Sequence, residues 1–252
     1  MNGRAVANEF TKMRRLRVAP LVLIMVVGVV ALTCVTFTAP GFLDSVDDPD
    51  ARPWHWLLAG LALAVPLVSP ILLAVLASRQ VDMEHQGHGW LLNQVSGVTP
   101  GHLCRVKFLS MGALVAGATL AQSALVVALG RAVGISVDLP LGPWLGYTTA
   151  IIVVNLVLFA LHLLVAARVP NQLVGLGLGV LGVFVTLAGT GMPLWSAHLL
   201  PPWGYYAVAT PVDTDAGGVV ALDPPYLSVL SLGIVGALVF LGVTRMFDRQ
   251  ET

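Results

Sequence analysis

Four titratable residues crowd one short polar stretch: Asp82, Glu84, His85 and His88. Two histidines three apart beside carboxylates have the ligand types a zinc ion takes. No further ligand nearby completes a tetrahedral set, so a solvated loop is the plainer reading and no metal site is expected. Three other polar side chains, Gln122, Asn155 and His162, stand inside long apolar runs. Polar groups in such surroundings are costly and mark a pathway by default, which makes these three candidate translocation-path residues. His162 is the one ionisable candidate for a proton relay, although a lone histidine near a helix end is more often packed and hydrogen-bonded. No acidic residue lies deep in any apolar run, which argues against a proton- or sodium-coupled carrier.

The catalytic patterns that would make the chain an enzyme are missing. There is no HExxH, no GxSxG and no pair of aspartates set within apolar runs. Gly177, Gly179 and Gly182 fit GxGxxG, but no strand precedes them and no βαβ unit surrounds them, so the spacing reads as helix packing. Gly175 with Gly179, Gly112 with Ala116, and Ala113 with Gly117 are small-xxx-small pairs of the same kind. A phosphate-binding loop needs a Gly-Lys step, and the two lysines follow Thr11 and Val106. Any ATP hydrolysis is therefore expected on another polypeptide, with no cofactor bound by this one. Cys34 and Cys104 fall at different depths, which disfavours a disulfide, and two cysteines make no metal framework.

The elements that position these residues are apolar helices. Asp, Glu, Lys and Arg are absent from residues 18–43, 53–78, 108–130, 139–167, 169–212 and 224–244. About 20 apolar residues in a helix cross the hydrocarbon, and a helix satisfies its own backbone there. Only 10% of the residues are charged, and they fall between these blocks. The expected fold is an all-α membrane protein, one permease-type domain over 1–252. Its six transmembrane helices are expected at about 18–40, 54–78, 107–130, 143–167, 171–190 and 225–245.

Charge assigns the sides. With six spans, one face collects the leader cations Arg4, Lys12, Arg14, Arg15 and Arg17 together with Arg79, Arg105, Lys107, Arg168, Arg245 and Arg249. The other keeps only Arg52 and Arg131 among eight aspartates, so the net charge of 0 is a cancellation of +6 and −6. Basic loops stay cytoplasmic, which predicts both termini inside. Trp54, Trp56, Trp144, Trp195 and Trp203 fall near the opposite interface, where amphipathic rings settle. The leader is expected to be a retained signal-anchor, since the apolar run from Val18 is too long for a cleaved signal. Val6, Phe10 and Met13 recur at helical spacing beside cations, which predicts an interfacial helix on the inner membrane face.

The segment from Arg79 to Lys107 is the one sizeable cytoplasmic connection. Asp82 and Glu84 suit a helix start, and Trp90, Leu91, Leu92 and Val95 can form one apolar edge. Gly97, Pro100 and Gly101 then break the helix. An amphipathic helix lying there makes a docking element. At this segment the chain resembles the type-2 ABC exporter permeases, particularly the lantibiotic-immunity and drug-efflux branch. The resemblance is carried by Glu84, Trp90, Leu91, Leu92, Pro100 and Lys107, by Arg168, Asn171, Gly175 and Gly179 at the turn between spans four and five, and by Pro202 and Trp203. The chain departs from the family pattern at the bend "SGVTPGH".

The resemblance implies a bacterial plasma-membrane permease working with ABC ATPase subunits, which would bind ATP and Mg, and with a second permease chain. Glu84, Trp90, Leu91 and Leu92 would couple it to the ATPase through a coupling helix in the first cytoplasmic loop. The cargo would be amphipathic compounds such as antimicrobial peptides, antibiotics or other drugs. Lipid is the other partner, and no nucleic acid is expected. The rival reading is an ATP-independent membrane carrier or membrane-complex assembly subunit.

Overall fold

A computed structural model describes residues 17–86, 89–90, 95, 97–190, 197–200, 202–215 and 218–249. Six long apolar helices dominate it: α1 (Val18–Cys34), α2 (Pro53–Gln86), α3 (Pro100–Val133), α4 (Leu141–Arg168), α5 (Gln172–Thr190) and α6 (Tyr226–Arg249). Each has the length and apolarity to cross a membrane, α1 together with its 3-10 extension Val35–Thr38. The expected leader helix lies outside the described residues.

α2 and α4 form the centre. Of their most apolar stretches 50% and 56% are buried, against 22% for α1 and α6 and 28% for α5. α2 packs against α1, α4 and α5, while α4 also holds α3 and α6. The outer helices keep exposed apolar faces, as Leu23 and Ile24 of α1, Phe184 of α5 and Leu238 of α6 illustrate. Such faces fit a protein solvated by lipid, where a fully apolar surface carries no penalty.

Pro66 and Pro70 lie inside α2. Each removes one backbone donor, so the helix is weakest over that turn. α5 approaches at the same place, because a methyl added at Gly179 would stand 2.9 Å from Pro70 O and 3.0 Å from Ala74 Cβ. A methyl at Gly182 would collide with the Trp203 indole. Gly179 and Gly182 therefore serve close packing, while a methyl at Gly177 would meet open space.

Two ends of the bundle differ in charge. At the acidic end, the segment before α6 contains a one-turn helix, Tyr205–Val208, and a hairpin of β1 (Val212–Asp215) and β2 (Gly218–Ala221). The strands are antiparallel, with Val212 opposite Ala221 and Asp215 opposite Gly218. That hairpin is a short addition outside the six helices of the all-α bundle; in β1 Asp213 and Asp215 alternate with Val212 and Thr214. Trp54 and Trp144 stand at this end too, but buried and edge-to-face at 5.8 Å. Trp54 Nε1 donates to Val137 O at 2.8 Å and Trp144 Nε1 to Ser123 Oγ at 2.8 Å. Both rings pack into the bundle rather than lying on its outer surface.

The basic end carries Arg79, Arg105, Lys107, Arg168 and Arg245. There α2 continues past Ser78 to Gln86 and α3 starts at Pro100, earlier than the expected 107. Much of the expected cytoplasmic loop is therefore helix, which brings its charged residues onto the ends of the spans.

Candidate functional site

The connection between α2 and α3 is fastened to three neighbouring helix ends. α3 begins conventionally: Thr99 is extended (φ −73, ψ 150) and its Oγ1 accepts from His102 N at 3.4 Å, with Pro100 in the first turn. About two turns further in, Lys107 Nζ meets Glu84 Oε1 at 2.9 Å, with side-chain exposures of 0% and 4%. Removing either partner would leave a buried charge, which costs about 3–5 kcal/mol. A methyl at Gly89 would collide with the Glu84 carboxylate, so Gly89 lies directly against it.

His85 forms the second tie. Its Nε2 is 3.0 Å from Ala166 O on α4, and Trp90 Nε1 lies 3.3 Å from its Nδ1. A carbonyl only accepts and an indole N–H only donates. The network therefore assigns the proton to Nε2, which donates to Ala166, and leaves Nδ1 to accept from Trp90. The two rings stand 5.8 Å apart, tilted by 61°. Trp90 is half-buried.

Two more ties reach α6. Arg105 donates to Asp248 Oδ2 at 3.0 Å and to Thr244 Oγ1 at 3.2 Å. Gly101 lets α3 approach here, since a side chain would collide with Thr244 O. The Arg168 guanidinium lies over the Phe247 ring at 4.6 Å, joining α4 to α6. The ends of α2, α3, α4 and α6 thus make one cross-braced block, with Trp90 at its edge.

The expected coupling residues take different places in this block. Glu84 is an internal strut and does not form surface. Trp90 is the half-buried edge, and Leu91 and Leu92 lie outside the described residues. His85, read from sequence as a solvated loop residue, is a ring spanning two elements. Lys107, Arg105 and Asp248 were visible as charges at helix ends, but nothing in their spacing named their partners. Both His85 nitrogens are engaged, and Asp82 accepts from Gln86 at 2.7 Å. His88 lies outside the described residues.

The three mid-membrane polar residues face helices of their own bundle. Gln122, Asn155 and His162 are exposed by 1%, 0% and 1%. Asn155 Nδ2 donates to Thr119 Oγ1 at 3.0 Å, and Tyr206 Oη donates to Asn155 Oδ1 at 2.6 Å. Gln122 Nε2 donates to Met25 O at 3.1 Å. Neither ring nitrogen of His162 has a hydrogen-bond partner among the described residues. The cysteines are both free, Cys104 buried in α3 and Cys34 partly so in α1.

Residues 5–186 match the profile of the ABC-2 family transporter proteins. No curated protein and no solved structure matches the chain. The match spans most of the chain and takes in the first four helices and most of α5. Together with six membrane-length helices it makes this a multi-pass membrane component of a transporter, and the chain belongs to the ABC-2 transporter family.

Proposed function

We propose that this permease subunit exports amphipathic compounds, such as antimicrobial peptides, antibiotics or other drugs, across a bacterial plasma membrane. ATP and Mg are bound and ATP is hydrolysed on separate ABC ATPase chains, and a second permease chain, identical or homologous, completes the pathway. The basic end faces the cytosol, by the charge asymmetry of the sequence. Trp90, with Leu91 and Leu92, forms the contact that an ATPase subunit grips, and Glu84 holds the base of that contact against Lys107.

The observation that carries this reading is the bracing of the Trp90 loop. A force applied there reaches α4 through His85, α3 through Glu84 and Lys107, and α6 through Arg105 and Asp248. Coupling between distant sites needs an element that moves as one piece between two states. α2 supplies the complement, a turn weakened by Pro66 and Pro70 on which the braced end can swing.

The test is reconstitution of the chain with its ATPase in lipid vesicles. Trp90→Ala is expected to leave ATP hydrolysis running while transport is lost. Transport that proceeds normally in that variant, or with no ATPase present, removes the proposal.

A further inference from the structure

A cavity of about 690 Å³ opens at the acidic end of the bundle, between the α1–α2 connection, the first turn of α2 and β2. Small-molecule sites occupy about 300–1,000 Å³, so this one has the size of a ligand site. Phe42 and Trp56 give its walls an apolar part, and Asp50 and Arg52 a charged one. Phe42 is buried and stands 5.7 Å from the Phe37 ring, while Trp56 is half-buried.

Neither charge is spent on the fold. Arg52 Nη1 donates to Val219 O across 3.5 Å, a long bond that sets the guanidinium against the β2 wall and leaves its other donors over. Among the described residues no ion pair engages Arg52 or Asp50. Arg52 also holds a left-handed backbone, with φ 50°, which most side chains rarely adopt. Glycine would take that turn with less strain, and the chain carries a guanidinium there instead. Arg131, the other cation of this end, is turned to Trp54, Ile135 O and Val137 O. The cavity therefore offers one cation and one anion beside two aromatic rings.

Position narrows the ligand. Residues 39–42 of the wall follow directly on the 3-10 extension of α1, and Leu32 and Val35 just before them are exposed apolar side chains. α1 ends and α2 begins at this level, where a span meets the headgroup layer. The surplus of aspartates at this end opposes an anionic headgroup, whereas a zwitterion is neutral as a whole and satisfies both wall charges.

We propose that this cavity binds the headgroup of one zwitterionic phospholipid, with its phosphate on Arg52, its ammonium on Asp50 and its acyl chains along the exposed side of α1. The planar fork of arginine donates to phosphate oxygens in pairs, which fixes the headgroup, and the carboxylate selects for the ammonium.

Native mass spectrometry tests this on the full chain, released from detergent micelles that contain equal amounts of phosphatidylethanolamine and phosphatidylglycerol with the same acyl chains. Retention of one phosphatidylethanolamine is expected to exceed that of phosphatidylglycerol by up to about fivefold, the most that one exposed ion pair supplies. Asp50→Asn is expected to abolish the preference, and Arg52→Gln to lower retention of both lipids, which share the phosphate. Both side chains are exposed, so these variants leave the bundle interior untouched. Equal retention of the two lipids by the unaltered chain overturns the site without any variant. A preference that survives Asp50→Asn, or retention unchanged by Arg52→Gln, overturns the placement of the headgroup. Displacement of the lipid by an equal concentration of soluble glycerophosphoethanolamine overturns the membrane as its source.

Discussion

The basic end of the bundle and its middle are both held by polar contacts between helices, but of different kinds. At the basic end the partners are charged: Glu84 with Lys107, and Arg105 with Asp248. In the middle they are neutral, running from Tyr206 to Asn155 to Thr119 and from Trp144 to Ser123 to Thr148. Charge is affordable where headgroups and water are near, and becomes prohibitive toward the hydrocarbon centre. The difference matters mechanically as well. A charged strut fixes two helix ends against each other, while a hydroxyl exchanges partners at little cost. In the proposed mechanism the end that moves as a block is the one held by charge.

The contrast can be broken most severely at its buried pair. Lys107→Met should destabilise the protein by about 3–5 kcal/mol, because Glu84 is left buried and unpaired. Combining it with Glu84→Leu should restore much of the loss, and a double-mutant cycle on unfolding in detergent measures both. Equal losses in the single and double variants would mean that the charges do not face each other.

The middle should respond less. Asn155→Leu strands the Tyr206 hydroxyl and removes a donor from Thr119, a loss of about 1–3 kcal/mol. Gly179→Val drives a side chain into Pro70 O, an overpacking cost of about 1–3 kcal/mol, and its wider effect should be on transport if α2 swings at that turn. Unfolding midpoints and vesicle transport report these two separately.

The smallest stability change is expected for Arg105→Gln. Its pair with Asp248 is a quarter exposed (25% and 23%), and such pairs contribute about 0.2–1 kcal/mol. A change as large as that of Lys107→Met would show that both pairs are equally sealed from solvent, and the graded picture of the basic end would fail. Trp90→Phe sharpens the same region from another side. It keeps an aromatic ring but removes the indole N–H that His85 accepts, so any loosening of this segment should appear as faster hydrogen exchange near residue 90.

Span number and charge asymmetry could be read from chain order because each is a one-dimensional property. A helix crosses the bilayer if enough consecutive residues are apolar, and the cations between such runs fall on alternating sides. Close packing was likewise expected of the α5 glycines, but only Gly179 and Gly182 approach a neighbour, and Gly175 and Gly177 face open space. Which residues meet was not legible, because that depends on how each helix is rotated and shifted against its neighbours. Glu84 looked like part of a docking surface from its place in a polar loop. Its helix runs on to Gln86 and turns the carboxylate inward to Lys107. Gln122 and Asn155 looked like pathway residues because they are polar in apolar runs, and the folded bundle directs both to backbone and hydroxyl partners of adjacent helices. His85 was indistinguishable from a solvated histidine until α4 brought the Ala166 carbonyl to its ring. Local composition settles where a segment lies in the membrane, and only the packed bundle chooses partners among groups far apart in the chain.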